Sequence, residues 1–168
     1  MMTGNSVNYA GRQLDMELLQ HIATPVDQRV SPTVDRGDSG IGPSITTGMQ
    51  KVVQRYAKLL LTDLGSIKFD KEVGGDLLTS IRKGEIQSDA YLSFVFNVAS
   101  DNAVRKMKHD DGLTEIYGEQ PSDEKITEAI LVDHAIIPEK ATIHVHVRIV
   151  TEAGENYVYL VPVPIGIS

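Results

Sequence analysis

The chain contains no cysteine, so disulfide staples, thiolate metal sites, iron–sulfur clusters and cysteine nucleophiles are all excluded. Basic residues are in deficit: 16 Lys plus Arg stand against 23 Asp plus Glu, and the net charge of -7 repels phosphate backbones and anionic lipid surfaces. Neither nucleic acid nor a membrane is an expected partner. No run of about 18 consecutive apolar residues occurs, and residues 1–20 lack a basic start followed by an apolar core, so no membrane span or secretion leader is expected. Also missing are a phosphate-cradling glycine loop, a dinucleotide fingerprint and a His-Glu-x-x-His zinc motif. What is present is ordinary for a globular protein. Hydrophobic residues at 41% and charged residues at 23% exclude wholesale disorder, and 168 residues suffice for one core plus an appendage. A cytosolic fold without a cofactor is expected.

Apolar residues Leu14, Leu18, Leu19 and Ile22 recur at near-helical spacing before Pro25, predicting a short amphipathic helix over residues 12–23. A helix this short is marginal alone, so its stripe should dock on the same chain or on another. Residues 24–48 mix Pro25, Pro32, Pro43 and four glycines with Ser, Thr and Asp, and read as a linker. Residues 1–46 are thus expected to form an N-terminal arm and residues 47–168 the folded domain. Thr47 and Gln50 have capping-box spacing at the start of a helix whose stripe is Met49, Val52, Val53, Tyr56, Leu60 and Leu64, with Gly65 ending it. A structured loop with Phe69 and Gly74-Gly75 follows over residues 66–78. A further helix, capped by Asp89, carries Leu92, Val95, Phe96, Ala99, Ala103, Val104 and Met107 and should stop at Asp110-Asp111-Gly112; Asp101 and Arg105 have the spacing of a surface pair.

In the final third the period changes from helical to alternating. A helical turn near Asp123 and a strand over residues 131–138 precede residues 142–151, where Ile143, Val145, Val147 and Ile149 alternate with Thr142, His144, His146 and Arg148. Residues 152–156 can close a hairpin into a last strand over 157–165. The expected fold class is α+β: two amphipathic helices packed on a small antiparallel C-terminal sheet, with an extended N-terminal arm. Pro162 and Pro164 lack amide hydrogens that would both point to the same neighbouring strand, which predicts a strand that pairs on one side only. Such an edge either awaits a partner strand or is simply protected against aggregation. The partner-facing residues would be Tyr157, Val158, Tyr159, Leu160, Val161, Val163 and Ile165.

Three constellations bear on chemistry. His144 and His146 share a strand face, with His134 and Asp133 placed to approach them, so a metal-binding module or small metal-dependent enzyme is the alternative function. Asp110-Asp111 reads first as a solvated helix stop. Gly37-Asp38-Ser39-Gly40 has the look of a serine nucleophile segment, but the chain is too short for the two barrels that would serve it. Nothing here requires catalysis.

The order of parts resembles the sheath-initiator family of contractile phage tail baseplates, the lysozyme-like wedge component also found in type VI secretion baseplates. The likeness rests on Thr62, Gly65, Phe69 and Gly74, and on Glu124 where that family has Glu-Pro-Arg; here Lys125 and Ile126 follow the glutamate. The resemblance implies a non-enzymatic virion protein, assembled in host cytoplasm, that templates the first sheath ring by strand exchange. Its implied partners are the tail sheath protein and the baseplate wedge and hub or tube proteins. An adaptor of the same fold with a different protein partner is a further reading.

Overall fold

The computed structural model describes residues 15–16, 19–23, 28–32, 45–46, 48–116, 118–137 and 142–164. The elements run β1 (Asp15–Met16), β2 (Leu19–Ala23), β3 (Gln28–Pro32), β4 (Ile45–Thr46), α1 (Gly48–Leu60), α2 (Leu77–Arg82), α3 (Asp89–Glu115), β5 (Ile126–Ile137), β6 (Thr142–Thr151) and β7 (Asn156–Pro164). A 3-10 turn, Ser122–Glu124, leads into β5 as the sequence predicted. The fold is α+β: helices pack on an antiparallel β5-β6-β7 meander in the C-terminal third.

The core follows from period. Val52, Val53, Tyr56 and Leu60 of α1, Leu92, Phe96, Ala99, Ala103 and Met107 of α3, and Ile143, Val145, Val147 and Ile149 of β6 are all buried in one cluster. The Tyr56 hydroxyl meets Ser100 Oγ at 2.8 Å inside it, and burial pushes the phenol well above its usual range against that hydrogen bond's opposing pull. α3 packs over β5, so one sheet face is covered by helix.

Several boundaries differ from expectation for identifiable reasons. α1 stops at Leu60, and Leu64 is exposed rather than on the stripe. There Thr62 Oγ1 donates to Lys58 O at 2.6 Å and the chain turns into a bridge between Asp63 and Gly75. The loop expected over residues 66–78 runs into α2, whose six residues are too few to show a period; Leu77, Leu78 and Ile81 are buried. The cap of α3 is Ser88, which accepts from the Tyr91 amide at 3.2 Å, and Asp89 is the first helical residue. α3 continues through Asp110-Asp111-Gly112 because the acids are compensated: Lys106 lies 3.0 Å from Asp110, and Arg55 lies 2.7 Å from Asp111. Arg105 bonds Asn102 rather than Asp101. Thr47 of the expected capping box lies outside the described residues, and the amide of Gly48 donates to Glu124 Oε1 at 3.0 Å.

The larger correction concerns residues 12–23. Leu19–Ala23 is a strand, hairpinned antiparallel to Gln28–Pro32, and not a helix. Pro25 forbids helix continuation, and a neighbouring extended segment satisfies the backbone more completely than one or two turns of isolated helix. The helical spacing linking Leu19 and Ile22 does not apply to extended backbone, and Leu14 and Leu18 lie outside the described residues. β1 pairs with β4 as a two-stranded sheet, and β3 joins β7 in parallel, extending the meander to a five-stranded sheet of order β2-β3-β7-β6-β5. Residues 24–48 therefore contribute β3 and β4 as well as connection.

Candidate assembly interface

β7 lies beside β6 from Thr142↔Pro164 to Val150↔Asn156. Within an antiparallel ladder a proline fits only where a pair exchanges no hydrogen bonds, so His144↔Pro162 and Thr142↔Pro164 are non-bonded pairs. The amides of Val161 and Val163 then point to β6, and the flank away from β6 lacks donors at 162 and 164. The predicted mute flank follows from this register, but β7 is not an edge strand. β3 of the same chain meets that flank at Arg29↔Leu160, the one register pair of their ladder among the described residues. The prolines silence two positions; Leu160, two residues earlier, keeps its backbone groups. Of the proposed partner-binding residues, Tyr159, Leu160, Val161 and Val163 are buried, whereas Tyr157 and Val158 are exposed. Burial pushes the Tyr159 phenol well above its usual range. Ile165 lies outside the described residues.

The free flank among the described residues nearest the core belongs to β5, which sequence reasoning shortened. Its 12 residues contain no Lys, Arg or Pro and end the sheet beyond β6. Ile130, Val132 and Ile136 are exposed. Register shifts between Ile126 and Glu128 and between Leu131 and Asp133 divide the strand, leaving an uninterrupted stretch from Asp133 to Ile137. The β-branched content that begins at Ile126 and Thr127 was the available signal.

The residues carrying the family likeness form a buttressed loop. Gly75 N donates to Thr62 O at 2.9 Å and Leu64 N to Gly75 O at 3.1 Å, closing residues 62–75. Gly74 has φ +103, and a Cβ there would stand 2.4 Å from Thr62 O; one on Gly75 would stand 2.8 Å from Ala99 Cβ. Glycine is thus required for the loop to close on α3. Gly65, at φ +74, turns the chain and its carbonyl accepts from Lys71. Lys106 bonds Asp70 at 2.9 Å, and this bond holds the Asp70 carboxyl below its usual range while Asp70 and Asp110 raise the lysine. Phe69 stands out at the loop apex, 92% exposed, with Lys68 over its ring. Glu124 is internal: it takes the Gly48 amide and the Lys51 ammonium, the latter at 2.7 Å, with its side chain wholly buried.

The alternative metal constellation is divided by register. His134 pairs with Val145 and therefore lies on the core face, where Nε2 is 3.2 Å from Asp89 Oδ1, whereas His144 and His146 occupy the opposite face with Asp133. No group of three or more potential metal ligands occurs among the described residues. Gly37-Asp38-Ser39-Gly40 lies outside them. No helix among them is long and apolar enough to cross a membrane. No family model, curated protein or solved structure matches the chain.

Proposed function

We propose that this chain is a structural assembly protein of a contractile-tail baseplate, a sheath initiator whose sheet is extended by a strand from the sheath subunit. The observation that carries the reading is the outer flank of β5: a strand at the sheet margin with exposed Ile130, Val132 and Ile136, no lysine or proline, and a stretch from Asp133 to Ile137 that runs without a register shift. Backbone hydrogen bonds along such a flank supply affinity, and alternating side chains set register. The reading places the chain in the virion baseplate after assembly in host cytoplasm, beside wedge and hub or tube proteins. It needs no catalytic group or cofactor.

The test uses the sheath subunit encoded in the same gene cluster. Full-length chain should nucleate its polymerisation, and Val132→Lys with Ile136→Lys should abolish nucleation while changing stability by no more than about 0.5 kcal/mol, since both positions are exposed. Unimpaired nucleation by the double variant rejects exchange at β5. A gene neighbourhood without sheath or tube genes rejects the baseplate assignment itself. Deleting residues 157–168 is the poorer experiment, because it removes a strand from the interior of the sheet.

A further inference from the structure

α3 is apolar on two faces. Its core face carries Leu92, Phe96, Ala99 and Ala103, but Tyr91, Phe94 and Val98 form a second stripe at i, i+3 and i+7 that stays exposed, Phe94 by 63%. The Tyr91 and Phe94 rings lie side by side, centroids 6.4 Å apart and tilted by 30°. Beside the stripe, α2 and the turn after it form the other wall of an open groove of about 360 Å³, containing Asp76, Thr79, Lys83 and Glu85. Exposed apolar side chains at this spacing make one continuous face of α3, the kind of surface on which a second helix packs.

The rim identifies the partner's charge. Asp76 and Glu85 line the groove with Lys83, whose ammonium lies 3.9 Å from Glu85; beyond the groove the exposed Asp101 follows Val98 along the stripe, and the exposed Arg105 after it bonds Asn102, leaving three carboxylates against two cations. A second copy of the chain would set these carboxylates against one another and carries the same net charge of -7. We infer that the α2–α3 groove binds a basic amphipathic helix of another protein, with its apolar residues on Tyr91, Phe94 and Val98 and its Lys or Arg side chains on the acidic rim. This surface is separate from the β5 flank, and either can fail without the other.

A Leu/Lys peptide about 18 residues long, five helical turns, patterned for one apolar face, is compared with a scrambled isomer of equal charge by fluorescence anisotropy. The patterned peptide should bind the full chain more tightly than the isomer, and its binding should weaken as salt rises from about 50 to about 300 mM. Phe94→Ser and, separately, Val98→Ser should each weaken binding about tenfold, as loss of a buried anchor does. Glu85→Gln with Asp101→Asn should flatten the salt dependence, and Phe69→Ser, an equally surface-lying aromatic change, should alter nothing. Equal binding of both peptides, unchanged binding by the Phe94 and Val98 variants, or no binding overturns the inference. Concentration-dependent dimerisation lost in Phe94→Ser would assign the groove to a second copy and also overturn it.

Discussion

At the scale of single residues, the most consequential group is Glu124. It stands where the 3-10 turn meets β5, yet its carboxylate serves the beginning of α1 through Gly48 and Lys51, more than seventy positions earlier. A buried carboxylate is costly unless charge and hydrogen bonds compensate it, and here the ammonium and a helix-start amide do so together. Glu124→Ala should therefore destabilise the chain by about 3–5 kcal/mol, the range for stranding one member of a buried ion pair. Urea denaturation of Glu124→Ala, Lys51→Met and the double variant checks this: the double change should cost less than the sum of the single ones. Strict additivity would mean that the two side chains are energetically independent.

Among the elements, those with a sustained period were readable and those without were not. Val52, Val53, Tyr56 and Leu60 announce α1, and the strict alternation from Ile143 to Ile149 announces β6, because burial on one face imposes the pattern locally. α2 offers no such signal in six residues, β2 and β3 are five-residue strands without a sustained alternation, and the place of their hairpin in the sheet is set by β7, about 130 positions away, which no local window contains. For the candidate interface, the silence of Pro162 and Pro164 was legible from covalent chemistry alone, whereas the occupant of their flank was not. Glycines show the same division. Gly112 lies within α3 with open space around its Cβ position, so Gly112→Ala should raise stability by about 0.5–1 kcal/mol through helix propensity. Gly74→Ala, 2.4 Å from a backbone oxygen and at positive φ, should instead lower it by at least about 2 kcal/mol. Thermal or denaturant unfolding distinguishes the signs; a neutral Gly74→Ala would mean that the 62–75 loop is not held closed by that contact.

Across the whole molecule, β7 is the strand that ties the β2–β3 hairpin to the meander, and it has one long joint and one short one. Among the described residues β6 and β7 pair along nine positions, while β3 and β7 share the single register Arg29↔Leu160 immediately before the donor-free stretch. The β2–β3 hairpin should therefore open locally far more often than the meander, and its amides should exchange faster than those of β6. Pro162→Val with Pro164→Val restores two donors on the β3 flank. At about 0.5–1.5 kcal/mol per added hydrogen bond, exchange at Val30 and Ser31 should slow roughly tenfold if β3 follows the flank past Leu160. Unchanged exchange would mean that geometry beyond the prolines ends the joint. For the proposed strand exchange, the same variant separates the two flanks as candidate acceptors. Nucleation through β5 should survive a more firmly seated β3, because β5 lies at the far side of β6. Nucleation that fails when β3 is locked in place would move the exchange site to β7 and make release of the hairpin its first step.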